Sequence, residues 1–187
     1  MPISRWMALL SIFSFIIVFA VSSTAGARES ASQEGEIKLS TNLKKDGALA
    51  QELGVPMILM FSAEECPYCM VMESDYLEPL LKNRDYDSKV LIRKLHLDGF
   101  DDLVNFSGET VSASDISQEY EVWVTPTLLF LDDKGQEIQR RMVGLGVRDF
   151  VSAYIDESIN LASNSLGKVK KILSKNIKIN SSSNKAE

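Results

Sequence analysis

The sequence predicts an α/β fold, a mixed central sheet with helices on both faces. Three observations carry that prediction. Apolar runs of strand length alternate with segments of helical period. The run VPMILMF (55–61), bounded by a glycine and by polar residues, reads as a buried strand. A further apolar stretch runs into a turn at Asp133-Lys134-Gly135, and a returning strand after it closes the pattern on a hairpin.

The elements follow in order. Ser40 or Thr41 is placed to cap a first helix running to about Leu53, with Gly54 as its C′ residue. After the strand at 55–61, the apolar positions Met70, Val71, Met72, Leu77, Leu80 and Leu81 suit a helix from Pro67 to about Leu81, kinked or ended by Pro79. KVLIRKLHL (89–97) is a second strand. The stretch DGFDDLVNFSGETVSAS holds turn residues without a clear period and leads to a short helix near 114–120. VWVTPTLLFL reads as a strand interrupted at Pro126, and a returning strand follows the turn. Val147, Phe150, Val151, Tyr154, Ile155, Ile159 and Leu161 mark one face of a closing amphipathic helix.

The ends differ from this body. Arg5, the apolar run Met7 to Val21 and the small residues Ala25-Gly26-Ala27 form the layout of a secretory signal peptide, with cleavage expected after Ala27. The alternative reading is an uncleaved inner-membrane anchor, but the apolar run is about 15 residues, short of the roughly 20 that span a bilayer, which favours cleavage. Residues 28–36 read as a flexible leader, 37–162 as the domain, and 163–187 as a basic, Ser/Asn-rich tail without order. The mature protein is thus expected outside the cytoplasm, in a bacterial periplasm, where disulfides persist. Net charge is −6, and the tail carries six lysines against Glu187, so the body is strongly acidic and no nucleic-acid partner is expected.

The only two cysteines lie in CPYC (66–69). A structural zinc site needs four ligands, and with His96 as the single histidine none can be assembled from Cys and His within one chain. Attachment of c-type haem needs histidine directly after the second cysteine, where Met70 stands. An inert disulfide would close a loop too short to restrain the unfolded chain much. The pair instead follows a buried strand and opens a helix, where free N–H groups and the helix dipole favour a thiolate at Cys66. Cys69, one turn on, faces the same side and can attack a mixed disulfide at Cys66. His96 reads as an ordinary strand residue.

With these motifs the chain resembles the thioredoxin superfamily. FSAEECPYC, KLHLD (94–98), YEVWVTPTLLFLDDKG (120–135) and VGL (143–145) carry the likeness, and CPYC with the DYDSKVLIRKLHLD and NFSGETVSASD stretches is most similar to periplasmic SoxW-type thioredoxins. The resemblance implies a thioredoxin-like fold and a thiol–disulfide oxidoreductase acting on protein thiols and disulfides. Cys66 would be the exposed nucleophile and Cys69 the resolving thiol, with Pro67 and Tyr68 tuning the motif. Thr125 and a cis Pro126 would face the disulfide and, with Trp123 and Gly144, bind substrate in extended form. Trp123 suits either surface contact or core.

No metal or other cofactor is expected beyond the Cys66–Cys69 pair itself. A monomer is expected, working as a reductase fed by a membrane electron donor. A disulfide oxidase or isomerase, or a binding module without turnover, are the rival readings. Met60 departs from the family by standing where many thioredoxins bury an acid, leaving Cys69 to lose its proton to water, Lys94 or the leaving thiol. Glu64 and Glu65 would oppose a thiolate at Cys66. The insert 99–114 is expected to border the CPYC surface and shape partner choice.

Overall fold

The structure, a computed structural model, describes residues 35–99 and 101–183. The expected signal peptide and all but the last two residues of the leader lie outside the described residues. Helix α1 spans Leu43–Leu53, strand β1 Met57–Ser62, helix α2 Pro67–Val71 and helix α3 Glu78–Lys82. Strand β2 spans Leu91–His96, β3 Leu103–Val104 and β4 Thr110–Val111. Helix α4 is Ala113–Glu119, β5 Thr127–Leu131, β6 Glu137–Val143 and α5 Val151–Ser183. The main sheet has the order β2-β1-β5-β6. Strands β1 and β2 are parallel, while β5 runs antiparallel to both β1 and β6, which is the mixed sheet expected.

Alternation along β1 splits the core into two layers, because successive strand side chains point to opposite faces. Ile58 and Met60 pack with Ile92, Leu128 and Phe130, beneath Cys69 and Met72 on one side helix and Val151, Ile155 and Ile159 of α5. Met57, Leu59 and Phe61 pack on the other face with Leu43 and Ala50 of α1 and Ala113 and Ile116 of α4. Every residue of β1 is buried, and each large apolar side chain there contributes about 1.5–3 kcal/mol.

Several boundaries depart from expectation for identifiable reasons. The α1 cap is Asn42, whose side chain accepts from the Lys45 N–H at 2.9 Å, in place of Ser40 or Thr41. Those two residues are engaged by strands instead, with Ser40 N–H donating to the Lys94 carbonyl and the Thr41 carbonyl accepting from Val104 N–H. Pro79 does not end its helix. A π-helical stretch, Met72–Leu77, widens the turn ahead of it, and α3 continues to Lys82. Proline cannot donate to a carbonyl of the preceding turn, and a widened turn is one way a helix takes one in.

The closing helix buries Val151, Ile155, Ile159, Ala162 and Leu166, whereas Val147, Phe150, Tyr154 and Leu161 are exposed. Leu166 extends the packed stripe past the expected domain end at residue 162, and the helix runs to Ser183 where a tail without order was expected.

The insert forms the β3–β4 ribbon. Its turn does not reach CPYC. Phe106 packs beside Gly47 of α1 and Gly135 of the β5–β6 turn, and the Tyr120 hydroxyl donates to the Gly135 carbonyl at 2.6 Å. Burial, then the charges of Glu119, Asp132 and Glu137, hold that hydroxyl protonated well above the usual tyrosine range. Leu131 pairs with Met57 and Thr127 with Phe61, so this turn lies at the end of the sheet opposite the cysteines.

Candidate active site

Strand β1 delivers the chain to Cys66, which caps α2 with extended backbone (φ −113°, ψ 97°). Pro67 takes the first helical position, where its missing N–H would have had no partner anyway. The N–H groups of the first helical turn then point back at Cys66, with that of Cys69 shared between the Cys66 carbonyl, at 3.0 Å, and its sulfur. Cys69 N–H lies 3.1 Å from Cys66 Sγ, and Met70 N–H donates to the Cys66 carbonyl at 3.1 Å. The two cysteines form a disulfide, with Cα atoms 5.2 Å apart.

The loop before β5 faces this bond. The Thr125–Pro126 peptide is cis, and the Thr125 hydroxyl donates to Cys66 Sγ at 3.5 Å. Gly144, at φ +69°, donates its N–H to the Pro126 carbonyl at 2.8 Å, so the end of β6 buttresses the loop. Nothing lies within 4 Å of where a Gly144 side chain would start, leaving that side open. Trp123 is 72% exposed and Tyr68 61%, which places Trp123 on the surface rather than in the core.

Two features sharpen the chemistry. The resemblance implies an exposed nucleophile, yet Cys66 is only 8% exposed against 1% for Cys69. Cys66 is therefore the more accessible residue of the pair by a narrow margin. Its sulfur receives two donors, Cys69 N–H and the Thr125 hydroxyl, and both stabilise negative charge there. The carboxylates of Glu64 and Glu65 are exposed, where solvent and salt screen them. Glu64 N–H is clasped by both carboxylate oxygens of Asp98, at 3.0 and 3.2 Å, which ties the loop ahead of Cys66 to the end of β2.

One group escaped sequence reasoning. Lys94 is bound to Glu73, Nζ to Oε2 at 2.7 Å, and the Ser62 hydroxyl reaches Glu73 Oε1 at 3.5 Å. The available signal was spacing, since Glu73 is four residues after Cys69 and so shares its helix face. His96 lies in β2 in register with Ser62. Among the described residues no cluster of His, Cys, Asp or Glu could hold a metal ion, and no helix is long and apolar enough to cross a membrane.

Solved structures similar to this fold include Fasciola hepatica thioredoxin, at 20% identity, TM-score 0.46, with 66% of this chain and 97% of that one covered. Oxidised mitochondrial thioredoxin 3 from Saccharomyces cerevisiae is 23% identical, TM-score 0.46, covering 70% and 97%. A poplar thioredoxin h is 24% identical, TM-score 0.47, covering 65% and 97%. No curated protein matches the chain. The sequence profile of the family described as thioredoxin-like domain matches residues 43–157, which takes in the cysteine pair, the loop at Pro126 and the whole main sheet. The chain belongs to the thioredoxin-like domain family.

Proposed function

We propose that this protein is a secreted thiol–disulfide oxidoreductase that reduces disulfides of protein partners, with Cys66 as nucleophile and Cys69 as resolving thiol. The observation that carries the reading is the pair of hydrogen bonds on Cys66 Sγ, one from the helix start and one from Thr125 beside the cis peptide. In the forward direction the Cys66 thiolate attacks one sulfur of a partner disulfide, and the other partner sulfur leaves as a thiolate. The Cys69 thiolate then attacks Cys66 Sγ, the second partner sulfur leaves, and the partner has gained the two electrons that closed the Cys66–Cys69 bond.

Thr125, Pro126, Gly144 and exposed Trp123 form the substrate surface, and Pro67 and Tyr68 tune the motif through its local geometry. An extended partner segment lies along the loop at Pro126, using backbone groups for affinity. The signal-like layout of residues 1–27 supports a periplasmic site, and electrons then come from a membrane donor. The likeness to SoxW-type thioredoxins supports the reductive direction.

Cys69→Ser tests the chemistry. Mixed disulfides with partners are expected to accumulate at Cys66, visible as reductant-sensitive high-mass species. Their absence with Cys66 intact under oxidising conditions overturns the catalytic reading and leaves a binding module. Thiol trapping of the wild type in its own compartment tests direction, a mainly reduced pair being the expected result and a mainly oxidised one pointing to disulfide donation.

A further inference from the structure

Resolution of a mixed disulfide requires Cys69 to lose a proton while it is 1% exposed and walled by apolar neighbours. Burial disfavours the charged thiolate, so the site needs a proton acceptor at hand. Met60, on the strand beneath, offers none. Lys94, in register with Met60 and on the same sheet face, is an ammonium committed to Glu73 at 2.7 Å and has no lone pair to give.

We infer that Glu73 accepts the Cys69 proton and that Lys94 and Ser62 hold its carboxylate in place for that step. The inference rests on the thiol–disulfide reading above. Glu73 stands four positions after Cys69, at the junction of α2 with the π-helical stretch, and its carboxylate reaches Ser62 and Lys94 on the Met60 face of the sheet, the face against which Cys69 packs. Helical side chains lean toward the N-terminus, which carries the Glu73 carboxylate back over the turn bearing Cys69. A single water bridges the remaining gap for proton transfer. The carboxylate is mostly enclosed, its side chain 16% exposed and that of Lys94 17%. One oxygen accepts from Lys94 and the other makes only a long contact with Ser62, so lone pairs remain for a proton. Ser62 itself is buried four residues before Cys66, which puts the acid between the end of β1 and the helix that carries the resolver.

The step balances. The Cys69 proton passes to Glu73, the Cys69 thiolate bonds to Cys66 Sγ, and the Cys66–partner bond breaks with its electron pair on the leaving partner sulfur. Glu73 then returns the proton to that thiolate or to water. Glu73 is a positioning and proton-holding residue, since no bond to the reacting sulfurs is drawn to it. The titratable groups around it are Lys94 and His96 from β2 and the two cysteines from the helix.

The test is stopped-flow reaction of the reduced full chain with 5,5′-dithiobis(2-nitrobenzoate), which releases one chromophore on attack by Cys66 and a second on resolution by Cys69. Two phases are expected, and loss of the second phase in the wild type would overturn the oxidoreductase reading itself. In Glu73→Gln the first phase is expected within about twofold of wild type, while the second slows by ~10- to 100-fold near neutral pH and loses its dependence on pH in the acid range. Glu73→Asp should restore both within a few-fold. Where Glu73→Gln is poorly folded, Glu73→Gln with Lys94→Gln leaves no lone charge and gives the same reading. A second phase unchanged in rate and pH profile in these variants overturns the inference. So does a pH profile that survives them but vanishes in His96→Gln.

Discussion

Gly135 is where the structure makes its most demanding steric claim. The residue sits at φ +82°, and a Cβ added there would meet the Tyr120 hydroxyl at 2.6 Å and collide with the Phe106 ring. Gly135→Ala therefore carries two costs. Left-handed backbone costs an L-residue about 1–2 kcal/mol. Forcing aside Phe106 and Tyr120, whose hydroxyl is hydrogen-bonded to the Gly135 carbonyl, adds ~1–3 kcal/mol of overpacking. The stiffer unfolded chain offsets ~0.4–1 kcal/mol. The net loss centres on about 3 kcal/mol, and with a urea slope of roughly 2 kcal/mol/M the midpoint drops by about 1.5 M at unchanged slope. Gly146 is the control, because it also has a positive φ, +61°, but nothing lies within 4 Å of its Cβ position. Gly146→Ala should cost only the backbone share, ~1 kcal/mol. Equal losses in the two variants, followed by circular dichroism in urea, would refute the packing argument. Since Gly135 lies at the sheet end opposite the cysteines, its substitution should leave the rate of Cys66 attack on a small disulfide unchanged.

Three further outcomes are expected. Thr125→Val keeps the shape beside Cys66 but removes a donor 3.5 Å from its sulfur. A hydrogen bond to a charged group is worth ~1.5–3 kcal/mol, and at this length the lower end applies, so iodoacetamide alkylation of Cys66 in a Cys69→Ser background should slow by about tenfold near neutral pH. An unchanged rate removes Thr125 from the site. Tyr86 donates to Asp156 at 2.7 Å, and that bond, with burial and the Asp156 charge, pushes its hydroxyl up from 10.0 to about 12. A raised value stabilises the fold fully below the ordinary one and ceases to do so as pH climbs through the raised one. Tyr86→Phe should thus lose about 1 kcal/mol near neutrality, with the gap to wild type closing between pH 10 and 12, read from urea midpoints. Finally, intact-mass measurement of protein exported from a bacterial host should place the mature N-terminus at Arg28, and retention of residues 1–27 would favour the membrane anchor.

The site was legible in proportion to how local its causes are. CPYC at a strand-to-helix junction announced Cys66 as a cap, because strand and helix periods and Pro67 all act over a few residues. Pro126 as a cis residue and Gly144 as its neighbour came from resemblance, since no local pattern brings residue 144 to the Pro126 carbonyl. Spacing alone put Glu73 on the face of Cys69, yet its pairing with Lys94 needed β1, β2 and the helix together. The exposure of Trp123 was likewise undecidable from composition, as tryptophan serves both core and surface.

By itself, then, the sequence determined the order of the main-sheet strands and the helices around them, the mixed sheet, the hairpin at Gly135 and the placement of the cysteine pair, but not the β3–β4 ribbon; what it determined follows from periodicity and turn chemistry within single segments. Tertiary structure decided the rest. It moved the α1 cap to Asn42 by drawing residues 38–40 into pairing with β2 and Thr41 with β3, folded the insert over α1 instead of over CPYC, and carried the last helix past residue 162 on the buried Leu166. It also brought the Glu73 carboxylate from the helix to Lys94 of β2 and Ser62 at the end of β1. Each of these depends on which distant segment arrives to take a hydrogen bond, a charge or an apolar face, and that information lies in the packing of the whole chain.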